Sequence, residues 1–145
     1  FMDWASYKTK VFQIIGAAMA VRKELRGGLL EAIYEEALCL ELTKSGIPWE
    51  REKELSVFYK GQKLHKTFRM DIVVDDDIIV ELKAMSFLAP EHRAQLCNYL
   101  RLTNLPVGLL INFGGSKLTA ERWCFDPKSN ECFLADVNMQ RNINY

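Results

Sequence analysis

Two acidic residues and a lysine in the middle of the chain have the types and spacing of a metal-dependent catalytic site. Asp71 and Glu81 lie in two hydrophobic runs that flank an acidic turn, and Lys83 follows two residues after Glu81. A turn centred on Asp76 sets Asp71 directly across from Glu81, with Cβ atoms about 4.5–5.5 Å apart. Because side chains alternate along a strand, Lys83 is expected on the same face as Glu81.

Two carboxylates at this separation repel each other unless a cation lies between them. Mg²⁺ prefers hard oxygen ligands and is typically held by one or two carboxylates. Such an ion polarises a phosphodiester and lowers the pKa of a bound water, and Lys83 could position or help deprotonate that water. The pattern therefore predicts phosphodiester hydrolysis. The alternative is a strand pair with scattered surface charges, in which Asp71 meets Lys83 or Arg69, and a register slip of one residue would move Asp71 to the other face.

Two further motifs flank these residues. Residues 28–34 fit Gly-x-x-Glu-x-x-Tyr, with Glu31 as the acid, and Gln95 and Tyr99 fit Gln-x-x-x-Tyr, whose two residues share one helical face. Together with Arg-x-Asp, Glu-Leu-Lys and the segment Leu-Leu-Ile-Asn-Phe-Gly at 109–114, the pattern resembles the GxxExxY family of the PD-(D/E)XK nuclease superfamily. The resemblance covers about residues 11–113.

The resemblance implies a restriction-endonuclease-like core and assigns roles to eight residues. The ligands of Mg²⁺ or Mn²⁺ would be Asp71, Glu81, the Leu82 carbonyl and Glu31. The catalytic residues would be Lys83, Glu81, Asp71 and Gln95. The supporting residues would be Tyr34 and Tyr99, and His92, three residues before Gln95, could point at the same site.

Some of these residues also have purely structural interpretations. Glu31 could only complement the positive end of its helix. Tyr34 and Tyr99 could be core aromatics with a hydroxyl at the rim, and we favour this interpretation for both. His92 could be a histidine on a helix surface.

The hydrophobic pattern predicts the elements that position these residues. Helices are predicted at residues 7–25, 29–44 and 90–102, and strands at 54–59, 66–74, 78–84, 107–111, 122–125 and 132–135, followed by a loose tail from residue 138. The order αα-βββ-α-β plus C-terminal strands indicates an α/β protein with a mixed central sheet flanked by helices. We interpret residues 1–145 as one domain, because a chain of this length buries one hydrophobic core.

The charge balance neither requires nor excludes a nucleic-acid partner. The 19 basic and 19 acidic residues cancel, so no global field attracts the protein to a polyanion. Basic residues are nevertheless concentrated between residues 44 and 69, and Lys63, Lys66 and Arg69 are candidate nucleic-acid-binding residues. A solvated strand face is the alternative interpretation of this run.

The cysteines and the hydropathy pattern predict the cellular environment. The four cysteines show no CxxC spacing and no histidine cluster, so reduced thiols are expected rather than a zinc site or a disulfide framework. Cys124 and Cys132 flank a turn and could face each other across a hairpin. No run approaches the ~20 apolar residues of a membrane span, and no charged-then-apolar leader opens the chain, so we expect a cytoplasmic protein.

Three hypotheses for function follow. The first is a Mg²⁺-dependent nuclease that hydrolyses DNA in repair, recombination or defence, either alone or as a homodimer that reaches both strands. The second is a catalytically silent nuclease-like scaffold that binds nucleic acid or a protein partner. The third is an unrelated α/β domain with chance motif matches, for which Asp71 and Glu81 would lie on opposite faces of the sheet.

Overall fold

A computed structural model describes residues 3–142, over which the chain forms three α-helices and six β-strands. The helices are α1 (Lys8–Leu25), α2 (Glu31–Lys44) and α3 (Pro90–Thr103). The strands are β1 (Trp49–Tyr59), β2 (Gln62–Val74), β3 (Ile78–Lys83), β4 (Val107–Asn112), β5 (Thr119–Asp126) and β6 (Glu131–Ala135). A short 3₁₀ helix, Trp4–Tyr7, precedes α1. None of the helices within residues 3–142 is long and apolar enough to cross a bilayer.

The strands of the described chain form one mixed sheet in the order β1-β2-β3-β4-β5-β6. Neighbouring strands run antiparallel except β3 and β4, which are parallel and are connected through α3. Helices α1 and α2 pack on one face of the sheet and α3 packs on the other. Every residue of β4 is buried, as expected for a strand that is covered on both faces. The predicted α/β architecture with a mixed central sheet is confirmed.

The hairpin of β1 and β2 is much longer than the rest of the sheet. Strand β2 pairs with β3 only over Ile72 to Val74, whereas its ladder with β1 extends back to Gln62. Residues 55–70, which we call the arm, are therefore two-stranded. Both strands were predicted too short at one end, because the exposed residues near Trp49 and Gln62 lack the hydrophobic alternation of a buried strand.

The cysteines do not pair as the sequence suggested. A disulfide joins Cys97 of α3 to Cys132 of β6, with Cα atoms 5.9 Å apart. Cys124 lies opposite Phe133 in the β5/β6 ladder and is buried on the α1/α2 side, whereas Cys132 lies opposite Phe125. The predictions of reduced thiols throughout and of a Cys124–Cys132 contact were therefore wrong. The reason is that neighbouring strand positions point to opposite faces of a sheet.

Replacement of Cys132 by serine is expected to lower the free energy of unfolding by about 2–4 kcal/mol, because the bridge closes a loop of 35 residues. Urea denaturation of the oxidised protein measures this difference. Cys97→Ser should have an equal effect, and adding a reductant should bring the wild type to the level of both variants. Equal stability of the oxidised wild type and the variants would show that the bridge does not form in solution.

The C-terminal segment is ordered where a loose tail was predicted. Met139 is buried, and the Asn142 amide donates to the Leu134 carbonyl. The Asp136 carboxylate accepts hydrogen bonds from the amides of Asn138 and Gln140, which closes the turn. The prediction failed because one buried methionine and one capping aspartate order a segment that is polar on average. Residues 143–145 lie outside the described residues.

Candidate active site

The register of the β2/β3 hairpin is the one that the sequence predicted. Val74 pairs with Ile78 and Ile72 with Val80, so Asp71 and Glu81 are the next residues outward. At this level, hydrogen bonds from backbone amides to the two carboxylates replace the backbone–backbone hydrogen bonds of the ladder. The Leu82 amide donates to Asp71 Oδ2 at 2.8 Å, and the Asp71 amide donates to Glu81 Oε1 at 3.0 Å. Each carboxylate therefore accepts a hydrogen bond from the backbone of the opposite strand.

The ladder between β1 and β2 is interrupted at the same level. Arg51 pairs with Ile72 and Lys53 with Met70, but the residue between them, Glu52, has a φ of 54°. This left-handed conformation is costly for a residue with a side chain. The distortion leaves Asp71 without regular ladder partners on either side, and its carboxylate is free to enter an acidic cluster.

Burial keeps both acids from ionising easily, and for Glu81 the charge of Asp71 adds to this effect. Glu81 is only 4% exposed, and its burial, followed by the charge of Asp71, raises its pKa well above the usual value. Burial also raises the pKa of Asp71, although the hydrogen bond from the Leu82 amide opposes this shift. The two carboxyl groups are close enough to hydrogen-bond with each other. Two adjacent buried carboxyls shift in this way when no cation neutralises them.

Helix α2 brings a third predicted acid to the pair, and the end of β3 brings the lysine. Burial raises the pKa of Glu31, the charge of Asp71 raises it further, and the charge of Lys83 lowers it. Lys83 ends β3 and is half-buried. Within residues 3–142, no ion pair joins Asp71 to Lys83 or Arg69. The structure thus brings together Asp71, Glu81, Glu31 and Lys83.

Two acids of the cluster were missed from the sequence. Oxygen atoms of Glu35, Glu52 and Asp71 lie within 4.8 Å of one another, a group that shares only Asp71 with the predicted ligand set. Burial raises the pKa of Glu35 to about 7, against the effect of Arg51, whose Nε lies 3.1 Å from Glu35 Oε1. Glu35 had a signal in the sequence, because it lies one helical turn after Glu31. Glu52 had none, because it precedes the predicted strand 54–59 and is placed across from Asp71 only by the register of β1 and β2.

Asn112, at the end of β4, fixes the segment that follows Lys83. Its buried side chain accepts hydrogen bonds from the amides of Met85 and Gly114 and donates to the Met85 carbonyl at 2.9 Å. The Phe113 amide donates to the Lys83 carbonyl at 2.8 Å. The Leu-Leu-Ile-Asn-Phe-Gly segment therefore sets the position of the Lys83 backbone.

Gly114 is required here because the chain passes very close to the neighbouring loop. A Cβ at this position would lie 2.7 Å from the Met85 carbonyl oxygen and closer still to the Ala84–Met85 peptide. We expect Gly114→Ala to destabilise the fold by about 1–3 kcal/mol and to weaken any activity that depends on Lys83. Gly16→Ala is the matched control, because its Cβ meets no atom within 4 Å and should stabilise α1 by about 0.5–1 kcal/mol. Chemical denaturation of both variants tests these two predictions. Equal free energies of unfolding for Gly114→Ala and Gly16→Ala would contradict them.

Tyr34 has a structural role in the geometry seen here. It is fully buried, and its ring stacks on Phe113 with centroids 4.7 Å apart. Its hydroxyl donates to the Arg26 carbonyl at 2.6 Å and accepts from the Leu29 amide at 3.1 Å. The tyrosine of the Gly-x-x-Glu-x-x-Tyr motif thus fixes the α1–α2 loop and, through Phe113, supports the strand that ends in Lys83.

The α3 residues differ in their distance from the acids. Burial, followed by the charges of Glu81 and Asp71, raises the pKa of Tyr99 to about 12, so this residue borders the cluster. Gln95 is exposed, and no hydrogen bond ties its side chain to the acids within the described chain. His92 Nδ1 accepts a hydrogen bond from the Ala89 amide at 3.0 Å, which satisfies a free donor at the start of α3.

The three predicted nucleic-acid-binding residues precede Asp71 on strand β2. Lys63, Lys66 and Arg69 are all exposed on β2, in the arm. The ammonium group of Lys66 lies 5.8 Å from the centre of the Phe68 ring, which in turn packs against Tyr99. Arg69 follows Phe68 and points to the opposite face of the strand, so the basic residues lie on both faces of the strand that leads to Asp71.

The residues of the cluster fit a divalent cation of the Mg²⁺ type. All the side-chain donors are carboxylate oxygens, the ligands that this ion prefers. Burial is the main cause that raises the pKa values of Asp71, Glu81 and Glu31, and the charge of Lys83 opposes it in each case. A bound divalent cation would favour the ionised form of all three carboxyl groups in the same way.

Comparison with known proteins agrees with the geometry. A family model described as PD-(D/E)XK nuclease superfamily matches residues 8–123. The crystal structure of SSO0001 has a similar fold, with a TM-score of 0.53 and 18% sequence identity; the match covers 87% of this chain and 65% of that chain. No curated protein matches the chain. The family match spans most of the sequence and excludes chance motif matches, and the chain therefore belongs to the PD-(D/E)XK nuclease superfamily.

Proposed function

We propose that this protein is a Mg²⁺- or Mn²⁺-dependent nuclease of the GxxExxY family that hydrolyses phosphodiester bonds in DNA. One observation supports this proposal above the others. Asp71 and Glu81 meet across adjacent strands, each bonded to the other strand's backbone, with Lys83 on the same strand as Glu81. In a chain of this superfamily, such a group of residues has the composition of a hydrolytic site.

The ion would be held by Asp71, Glu81, the Leu82 carbonyl and Glu31. When bound, it would polarise the phosphodiester and lower the pKa of a coordinated water. Oδ2 of Asp71 and Oε1 of Glu81 already accept backbone hydrogen bonds, which keeps both side chains oriented before any ligand arrives. Preorganised ligands of this kind reduce the cost of ordering the site on binding.

Lys83 would act directly on the reacting groups. Its ammonium would stabilise negative charge on the phosphoryl oxygens and position the attacking water. Gln95 and Tyr99 would complete the wall of the site on the α3 side, and His92 would support the start of that helix. Lys63, Lys66 and Arg69 would bind backbone phosphates outside the site. We place this activity in repair, recombination or defence.

A cleavage screen tests the proposal. Linear, single-stranded and branched DNA, with RNA as a further class, is incubated with the protein and Mg²⁺, Mn²⁺ or no metal, and products are resolved on denaturing gels. We expect cleavage of at least one DNA substrate only with metal. Calorimetric titration of Mn²⁺ should show binding that Asp71→Asn weakens. Absence of both binding and cleavage, with and without DNA, would refute the proposal.

A second candidate function is binding without cleavage. The exposed position of Gln95, which makes no hydrogen bond to the acids in the described chain, is the observation that favours it. A scaffold of this kind would bind nucleic acid or a protein partner with the same affinity whether or not Lys83 is present. If wild type and Lys83→Ala show equal, negligible cleavage on every substrate while DNA is still bound, the scaffold is the better description.

A further inference from the structure

The arm has a composition unlike that of the rest of the chain. Residues 55–70 contain no acidic residue, and they carry Lys60, Lys63, Lys66 and Arg69 together with His65. Subtracting these four from the 19 basic residues leaves 15 against all 19 acidic ones in the remainder of the chain. An overall neutral protein thus carries its concentrated positive charge on one projecting element, which is a local electrostatic signal for a polyanion.

The end of the arm also exposes large hydrophobic side chains. Phe58 and Tyr59 are each 62% exposed, and Leu64 is 42% exposed. Phe58 lies opposite Lys63 in the ladder, and the ammonium group of Lys60 lies 5.4 Å from the centre of the Tyr59 ring. Because Phe58 and Tyr59 are neighbours in the strand, their rings point to opposite faces, so each face of the end of the arm exposes an aromatic ring near a lysine.

The base of the arm is anchored beside the candidate active site. Leu55 and Phe68 pack on the α3 side of the core, where Phe68 contacts the Tyr99 ring at 5.7 Å. The same strand then continues directly into Asp71. At about 3.3 Å per residue, the nine steps from Gln62 to Asp71 span about 30 Å, close to one turn of B-form DNA.

We propose that the arm grips double-stranded DNA on one side of the scissile phosphate, an inference that rests on the proposed nuclease function and names its substrate class. The two-stranded ribbon lies in the major groove, which admits such a ribbon, whereas the major groove of A-form RNA is too narrow and deep to be read by side chains. The lysines contact phosphates on either side, and Phe58 makes apolar contacts within the groove from one face of the ribbon, while Tyr59 lies on the opposite face, toward the groove wall.

The proposal is tested by DNA binding without divalent metal, which separates binding from cleavage. Fluorescence anisotropy compares Lys60→Ala/Lys63→Ala with the charge-matched control Lys23→Ala/Lys128→Ala, whose lysines are exposed on α1 and in the β5–β6 turn. The ligands are a duplex of about three helical turns, the same single strand and the equivalent RNA duplex. Circular dichroism melts establish that each variant is folded.

The arm variant should bind duplex DNA more weakly than the control, with a salt slope smaller by about 2, because each lost phosphate contact removes about 0.9. The ratio between the DNA affinities of the control and of the arm variant should therefore fall about tenfold between 50 and 200 mM salt. Phe58→Ala/Tyr59→Ala should weaken duplex DNA binding several-fold without changing the slope. The preference of the wild type for duplex DNA over both other ligands should fall in both arm variants.

Several outcomes overturn the proposal. One is an arm variant that binds duplex DNA like the control, and another is an equal loss on single strands and duplex RNA. A third is an arm variant that loses only self-association in analytical ultracentrifugation, which would assign the surface to a second copy of the chain. If the wild type cleaves DNA but the arm variants bind duplex DNA normally, the proposed role of the arm is rejected and the nuclease function is kept. If duplex binding depends on the arm but no cleavage is seen, the role of the arm is kept and the nuclease function is rejected.

Discussion

Replacing Lys83 by alanine is expected to lower the rate of metal-dependent DNA cleavage about a thousandfold, within the range typical of a group that acts on the reacting atoms. Metal affinity should change little, because an ammonium group is not a metal ligand. Asp71→Asn and Glu81→Gln should instead weaken Mn²⁺ binding as well as cleavage. Single-turnover cleavage rates and calorimetric Mn²⁺ titrations, measured on the same protein samples, separate the two classes of variant.

Two controls make this prediction specific. Lys128→Ala removes an exposed lysine from the β5–β6 turn and should cleave like the wild type. Lys83→Arg keeps the charge but changes its shape, and should recover part of the lost rate. Cleavage by Lys83→Ala at the wild-type rate would remove Lys83 from the mechanism, and a residual rate shared by all variants would indicate a contaminating nuclease.

The metal-free protein is expected to lose stability as the pH rises from 4.5 through 7. The pKa values of Glu81 and Glu35 are raised above the usual 4.5 by burial, that of Glu35 to about 7. A carboxyl group whose pKa is raised in the folded state stabilises the protein fully below its unfolded pKa, and this contribution disappears as the pH passes through the folded value. Denaturant titrations at several pH values, with a chelator present, measure how the free energy of unfolding changes with pH.

Glu81→Gln tests the origin of this pH dependence. The glutamine oxygen can still accept the Asp71 amide, and no second negative charge is formed, so the metal-free variant should be more stable than the wild type at neutral pH by about 1 kcal/mol. Added Mn²⁺ should stabilise the wild type and have little effect on the variant. A variant less stable than the metal-free wild type at every pH would show that the Glu81 hydrogen bond outweighs the repulsion between Asp71 and Glu81.

The hairpin that carries the site was predictable because local rules decide it. The acidic turn and the two hydrophobic runs that flank it fix the register of β2 and β3, and one step further outward places Asp71 against Glu81. The buried strand β4 and the proline at the start of α3 were equally clear. These features depend on neighbours in sequence, for which the patterns carry enough information.

The parts that failed depend on contacts between distant segments. Glu35 and Glu52 enter the cluster because α2 packs over the interrupted ladder of β1 and β2. No local sequence pattern predicts that packing. The Cys97–Cys132 bridge requires α3 to lie across the face of β6. Cysteine spacing contains no such information, since connectivity does not follow from sequence.

The reciprocal bonds between Asp71, Glu81 and the opposite backbone bear on how relatives of this protein should be judged. Each position needs an oxygen that accepts a hydrogen bond from a partly buried amide, and asparagine or glutamine could supply that oxygen without the repulsion of two acids. An inactive relative is therefore expected to keep an acceptor at both positions but not both charges. Lys83, whose side chain makes no hydrogen bond or ion pair within residues 3–142, is a further marker of a working enzyme.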